Sequence, residues 1–404
     1  MVITVMTEAF LMAMPVINQI ENQGHQAFYV GGCVRDLLLD RPIGDIDIAT
    51  SASPAFIQQI FSKVIPVGIE HGTVIVRHHH QSYEVTTFRI DGDYTDQRHP
   101  DSVEFIDQID KDLERRDFTI NALAMNKDGV ITDLFDGQGD LQAKLIRTVG
   151  DGYERFTEDP LRMIRALRFT SQLGFTIHRQ TLTDIKKVKP AIEGLAIERI
   201  TNEFTKLFAG EYLPVGIAYL KDTEIYKHLP IFADFPEIIF SLPNALKPLH
   251  SFGEVIALLH VIEPRVSVAQ WIKEWKCSNK TKQEAAQLVN ALEQYKRDGL
   301  NQWMIYQLSE SYYGGLNRLI NIFNPNEPIT VDALEQIAHR LPIQSKQELA
   351  INGNDLINLF PNRQKGRWLQ ISINQIEKEV VSGRLKNTKY DIKDWIQWSP
   401  PETN

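Results

Sequence analysis

Cysteine is nearly absent: 404 residues contain only Cys33 and Cys277, too few for a disulfide framework, so a reducing, cytoplasmic setting is expected. The apolar stretch near the start, from Ala9 to Ile17, is too short to span a bilayer and has no Lys or Arg ahead of it. It is expected to be a core-facing helix, not a signal peptide, and no membrane partner is implied. Internal repeats and low-complexity tracts are missing, which sets aside solenoids and disordered scaffolds. Positive charge is also short, with 43 Lys and Arg against 52 Asp and Glu for a net of −9. The deficit is uneven: residues 1–150 hold 12 basic and 22 acidic side chains, and the remainder is close to balance. Any grip on a polyanion must therefore come from local basic faces.

What is present starts with Gly31-Gly32-Cys33-Val34-Arg35-Asp36 after the apolar run Ala27 to Val30. This reads as a strand, a tight glycine turn and a short helix from Val34 to Leu39, and exposed N–H groups at such a turn can hold a phosphate. Asp45-Ile46-Asp47-Ile48 follows. On one strand, period-two alternation would send both aspartates to one face and both isoleucines to the other. Adjacent carboxylates repel, so in a site they share a cation, and hard Mg²⁺ suits oxygen ligands that also carry substrate phosphates. Arg35 and Arg116 are further phosphate candidates, because a guanidinium forks onto two phosphate oxygens and stays charged. For Arg116 the alternative is a partner for Asp117 or Glu114. Cys33, inside the turn, reads as a small apolar filler.

The glycine turn and the Asp45/Asp47 pair resemble the nucleotidyltransferase superfamily that includes DNA polymerase beta. That resemblance implies a third acidic residue on a later strand. Glu84, in Ser82 to Arg89, fills the position, with a cross-strand structural carboxylate as the alternative. Arg115 to Ala124, Asp133 to Leu141 and Glu158 to Phe169 narrow the family. Together with the opening motif they resemble the bacterial class II CCA-adding enzymes and the related poly(A) polymerases, specifically from about Phe28 to Glu203. Three implications concern chemistry. Gly32, Arg35 and Arg116 contact the incoming triphosphate. Arg165 and Arg168 line the nucleotide pocket. Two Mg²⁺ ions at Asp45 and Asp47 serve in-line nucleotidyl transfer.

Glu158 to Phe169 can be argued from its own chemistry. Pro160 suits a first helical turn with Glu158 or Asp159 before it as cap, and Asp159, Arg162 and Arg165 step by three. Aspartate only accepts hydrogen bonds and arginine only donates. Cytosine and adenine each present an amino donor beside a ring-nitrogen acceptor; uracil and guanine present a carbonyl beside an N–H. Asp159 and Arg162 would thus take C and A and refuse U and G, the amino-acid template role that the resemblance also implies. The alternative is an i,i+3 surface salt bridge worth a few tenths of a kcal/mol.

The expected fold is α+β: a small mixed-sheet nucleotidyltransferase head followed by an elongated all-helical neck, body and tail. The expected divisions are a catalytic head over 1–149, a nucleotide-selecting neck over 150–205, a body over 206–325 and a tRNA-binding tail over 326–404. The tail candidates are Lys365, Arg367, Arg384, Lys386 and Lys389, with Trp368, Tyr390 and Trp395 interleaved for base stacking. A solvated helix face is the alternative there. Ile351 to Leu356 is similar to a segment near the tRNA-contacting end of the family. His78-His79-His80 lies between two strand patterns and reads as a hairpin turn. Asp91 to Pro100 occupies the place of a mobile loop that in the family carries two consecutive arginines; His99 stands at the second. No His-Asp doublet occurs, which sets aside a fused phosphohydrolase.

The function implied is template-independent addition of C, C and A to the tRNA 3′ end from CTP and ATP, with no stable protein partner. Poly(A) polymerase or partial C-C-A addition is the enzymatic alternative. A tRNA-binding or nucleotide-sensing module is the non-enzymatic one.

Overall fold

The computed structural model describes residues 6–92 and 102–398. Asp93 to Pro100, with His99, lie outside the described residues. The chain divides into two compact units, Met1–Phe240 and Ser241–Asn404.

Unit 1 is built on a seven-stranded sheet. Its strands are β1 (Ala27–Val30), β2 (Asp47–Thr50), β3 (Val64–Gly68), β4 (Thr73–His78), β5 (Gln81–Thr87), β8 (Leu123–Met125) and β9 (Ile131–Asp133), in the order β3-β4-β5-β2-β1-β8-β9. β6 (Arg89–Asp91) and β7 (Val103–Phe105) form a separate ribbon. The sheet is mixed because β2 and β5 run parallel while the other neighbours are antiparallel. The β4–β5 hairpin turns on His79 and His80, with φ of 45° and 65°. This is the left-handed two-residue turn that matches strand twist, so the histidine tract is a hairpin, as its flanks suggest.

Helix α1 (Glu8–Glu21) buries Phe10, Ala13, Val16, Ile17 and Ile20, each worth about 1.5–3 kcal/mol for the larger side chains. The Tyr29 hydroxyl donates to the Phe10 carbonyl at 2.8 Å, tying α1 to β1. Helix α2 (Gly32–Leu38) leaves β1 through Gly31 at φ 72°, a conformation that costs glycine little. A Cβ at Gly137 would collide with the Thr119 carbonyl, so the Asp133 to Leu141 motif needs glycine there to bring its helix against the turn at Thr119–Asn121.

After the sheet the chain is almost wholly helical. The two helices Gly152–Glu158 and Leu161–Leu173 meet at Asp159-Pro160, and the second is buried along most of its length. Ile197–Phe208 and Leu213–Thr223 pack against it. In unit 2, Phe252–Ile262, Asn279–Asp298 and Tyr313–Phe323 surround the bidentate pair of Arg318 with the buried Glu254, at 2.9 and 2.7 Å. Gly353–Leu359, Arg367–Val381 and Lys389–Trp398 enclose a further core of Ile343, Leu356, Ile376, Val380 and Ile392 among others. The Ile351 to Leu356 segment is a reciprocal helix cap, in which Asn352 accepts from Asp355 and the Asp355 carboxylate accepts from the Asn352 amide. No described helix is long and apolar enough to cross a membrane.

Candidate active site

The sheet register makes the first part of the site. β2 and β5 set Asp47 beside Glu84. Residues paired across parallel strands point to one face, so the two carboxylates are neighbours. Ile46 and Ile48 face inward, as alternation requires. Asp45 departs from expectation: β2 begins at Asp47, and Asp45 stands exposed in the approach to the strand. Burial, then Glu84, pushes the Asp47 carboxyl up to about 6; Arg116 opposes this and Asp45 adds to it. A cation would relieve both the cost of burying this charge and its repulsion from Glu84. Hard oxygen donors on adjacent positions fit Mg²⁺, which keeps waters and substrate oxygens for its remaining places. Among the described residues no three His, Cys, Asp or Glu converge into a closed metal cage. The neighbouring Asp47 and Glu84 carboxylates are the arrangement to which a metal would come.

The glycine turn is flanked by both expected guanidiniums. A Cβ at Gly31 would lie 3.0 Å from Arg116 Nη1, and one at Gly32 would lie 3.6 Å from Arg35 Nη2. Arg35 is held by Asp36 through two 2.9 Å bonds, and its Nη1 donates to Asn121 Oδ1 at 2.8 Å. Arg116 pairs with Asp112 at 3.1 Å, not with Asp117 or Glu114, because Asp112 lies one helical turn back on Ile109–Glu114. Its Nε is buried with no hydrogen-bond partner, a donor that an anion would satisfy. Cys33 is buried, its thiol pushed up to about 12 by burial and donating to the Val30 carbonyl. It is a filler.

The arginines of Leu161–Leu173 form the second part. Arg165 Nε and Nη2 both donate to Asp117 Oδ2, at 2.8 and 2.5 Å. Burial would raise the Asp117 pKa, but Arg165, the Asn121 amide and Arg162 outweigh it and hold it at about 2. Arg168 Nε lies 2.9 Å from Glu203, although neither atom has hydrogen-bond alignment. Burial and nearby Arg165 lower the Arg168 guanidinium to about 10. The Phe169 ring gathers Arg35, Arg165 and Arg168, with their Cζ atoms 5.2, 5.7 and 4.2 Å from its centre.

Asp159 and Arg162 sit at the joint of the two helices, but they do not pair with each other. Asp159 lies outside the second helix. Its Oδ1 accepts from the Leu161 amide at 3.1 Å and its Oδ2 pairs with Arg199 at 2.9 Å. Arg162, 8% exposed, donates to Glu158 at 2.7 Å and to the carbonyls of Arg155 and Arg115 at 3.0 and 3.2 Å. The i,i+3 surface salt bridge is thereby excluded. Each template candidate is instead fixed by its own partner. Asp36, Asp112, Asn121, Arg199 and Glu203 are supporting residues that sequence reasoning did not single out, and Glu158, expected only as a helix cap, holds Arg162. Two of them, Asn121 and Arg199, act across 40 or more residues of chain.

In the tail, Lys365, Arg367, Arg384, Lys386 and Lys389 are all exposed. Arg384 forks onto Glu379, and Lys389 stands 3.5 Å from Asp355. The interleaved aromatics divide. Trp368 is buried with its Nε1 donating to the Gln364 carbonyl, and Trp395 packs on the tail core. Both follow the apolar stripe of their helices, which sets them inward. Tyr390, 79% exposed, and Trp398, 83% exposed, are the accessible rings.

Comparison with known proteins follows this geometry. The sequence model for the Poly A polymerase head domain matches residues 27–147, that for tRNA nucleotidyltransferase domain 2 matches 253–396, and that for an RNA and SrmB-binding site of polymerase A matches 174–235. A CCA-adding enzyme of Oceanobacillus iheyensis is 49% identical over 98% of this chain and all of that protein. One from Enterococcus faecalis is 42% identical over 96% of this chain and 95% of its own length. Among solved structures, the Bacillus stearothermophilus CCA-adding enzyme in complex with CTP superposes with a TM-score of 0.88 at 35% identity, covering 98% of each chain. The Thermotoga maritima CCA-adding enzyme complexed with tRNA shares the fold, with a TM-score of 0.62 at 20% identity over 98% of this chain and 96% of that one.

Proposed function

Since the chain belongs to the family of the CCA-adding enzymes, we propose that the site just described builds the 3′ C-C-A end of tRNA from CTP and ATP. The protein is a nucleotidyltransferase: the tRNA 3′-hydroxyl attacks the α-phosphorus of the bound nucleotide and pyrophosphate leaves. The observation that carries the site is a convergence. Arg116 abuts the Gly31 turn and also offsets the raised pKa of Asp47, so the phosphate side and the carboxylate side share one guanidinium.

In our reading Gly32, Arg35 and Arg116 receive the triphosphate, and the two guanidiniums take up charge that builds on the leaving phosphates. Asp45 and Asp47 would hold two Mg²⁺, with Glu84 as the third carboxylate. When bound there, such ions would supply a lower pKa for the attacking hydroxyl and an offset for charge on the leaving pyrophosphate. Asp159 accepts from the exocyclic amino group of C or A, and Arg162 donates to the adjacent ring nitrogen. Arg165 and Arg168 close the pocket around Phe169. Lys365, Arg367, Arg384, Lys386 and Lys389 meet the tRNA backbone, with Tyr390 and Trp398 as stacking surfaces. The four-part division into head, neck, body and tail at 149, 205 and 325, and work in the cytoplasm, belong to the same reading.

The metal assignment is tested with tRNA lacking its 3′ end and labelled CTP or ATP in Mg²⁺. Asp45→Ala and Asp47→Ala should each abolish incorporation of both nucleotides and leave tRNA affinity near wild type. Near-wild-type turnover in either variant would remove that aspartate from the metal site.

A further inference from the structure

The turn Thr119–Asn121 ends in a residue with no role in the reading above, although it touches Arg35 and Arg116, which have one, and Asp117, which holds Arg165. Asn121 is 7% exposed. Its Oδ1 accepts from Arg35 Nη1 at 2.8 Å and its Nδ2 donates to Asp117 Oδ1 at 3.1 Å. Its backbone carbonyl accepts from Arg116 Nη1 at 3.4 Å.

The amide orientation is forced. A guanidinium can only donate and an ionised carboxylate can only accept, so the oxygen must face Arg35 and the nitrogen Asp117. Asparagine is short enough for the site and carries an acceptor and a donor on one planar group. Aspartate would set two carboxylates against each other at the Asp117 end. An aliphatic residue would leave Arg35 and Asp117 each short of a partner. The amide continues a chain of alternating groups: Asp36 to Arg35, Arg35 to Asn121, Asn121 to Asp117, and Asp117 to Arg165. One end of that chain lies on the glycine turn. The other lies on the helix that carries Arg162.

We propose that Asn121 is a positioning residue that registers the triphosphate end of the nucleotide site, at Arg35 and Arg116, to its base-selecting end on Leu161–Leu173, through Asp117. The proposal deepens the functional reading above and rests on it. Base and phosphates belong to one covalent ligand of limited reach, so holding the two ends of the site at a set separation presents the α-phosphorus and the base together and spares the ligand that ordering. Loss of the relay acts on C and A addition alike, because both share the phosphate end, and it leaves the choice between C and U intact.

The test compares wild type, Asn121→Ala and Asn121→Asp in single-nucleotide addition of CTP and of ATP to tRNA lacking the residue to be added. Both variants should lose about tenfold to hundredfold in kcat/KM for CTP and ATP together, the size expected for a charge-assisted hydrogen bond, with tRNA Kd unchanged. The two variants then separate by pH. In Asn121→Asp the new carboxyl faces Asp117 and Arg35, with Arg116, Asp36, Asp112 and Arg165 around them. On protonation it regains a donor toward Asp117. Its kcat/KM relative to wild type should therefore climb severalfold between about pH 8 and about pH 6, while the Asn121→Ala ratio stays flat. A general loss of folding does not produce that difference. Wild-type kinetics in folded Asn121→Ala, or a flat ratio in Asn121→Asp, would overturn the proposal. If Asn121→Asp fails to fold, the alanine kinetics decide alone. Should wild type incorporate neither nucleotide, the functional reading falls. The relay is then judged by calorimetric CTP affinity, which it expects to weaken in Asn121→Ala and which an unchanged Kd would contradict.

Discussion

Burial of the Asp117 carboxylate is tolerable only because four donors converge on it: Arg165 twice, the Asn121 amide and the Phe118 backbone N–H at 2.8 Å. With its pKa held at about 2, below the ordinary 3.8, Asp117 favours the folded state on the order of 2 kcal/mol at neutral pH. The sign follows from linkage: a depressed carboxyl pKa gives stability that is present above about 4 and is lost as pH falls toward 2. Arg165→Met removes the main offset and leaves a buried, under-partnered charge. We expect a lower thermal midpoint at pH 7. As pH falls and the Asp117 of the variant takes up its proton, the gap to wild type should narrow. Paired melting curves from pH 7 to the acid limit check this, and a gap that stays constant or widens would contradict it. At this scale the sequence was most informative where chemistry is local. Gly31, Asp45 and Asp47 lie within one short stretch, so their spacing shows their relation. Asn121 and Asp36 both bond Arg35, and only the folded chain reveals that Asn121, 86 residues away in sequence, is its partner.

The joint between Gly152–Glu158 and Leu161–Leu173 is the element on which the proposed nucleotide selection turns. Its cause is written in the sequence. Proline restricts the preceding residue to extended backbone, and Asp159 adopts φ −137° and ψ 96°, ending one helix so that another can begin two residues later. Spacing by three correctly puts Arg162 and Arg165 on neighbouring turns of the second helix, but Asp159 belongs to the joint. Its partner Arg199 comes from Ile197–Phe208, and nothing in the spacing announces that helix–helix approach. The tail shows the opposite failure. Basic residues mixed with aromatics read as one binding face, yet Trp368 sits on the apolar stripe of an amphipathic helix and goes inward, because a large ring stabilises the tail core more than an exposed position would. For the joint, Asp159→Ala should lower the ratio of kcat/KM for CTP over UTP by about tenfold to hundredfold, as one charge-assisted hydrogen bond is lost from discrimination. Removal of a merely structural ion pair to Arg199 would cost stability and leave the ratio alone. An unchanged ratio in a folded variant would remove Asp159 from selection.

For the whole molecule, the uneven charge fits the division of labour proposed here. The acidic excess falls in residues 1–150, where carboxylates meet cations, and the near-balanced remainder leaves exposed basic side chains such as Lys365, Arg367 and Lys386 in the tail. The mixed α+β architecture was legible because the alternation of strand and helix signals stops near residue 150. The two-unit organisation was less so, since the boundary after Phe240 falls in a proline-bearing stretch inside the expected body of 206–325 and depends on which helices pack together. The head alone does not separate C-C-A addition from poly(A) synthesis, because the same metal and phosphate groups serve both. Full-length kinship to CCA-adding enzymes does separate them. The most direct measurement supplies tRNA lacking its 3′ end with all four nucleoside triphosphates together and sequences the products. Our account predicts products that end in C-C-A and extend no further, with U and G absent. Ends that carry an A tract, stop at C-C or include U or G would contradict it.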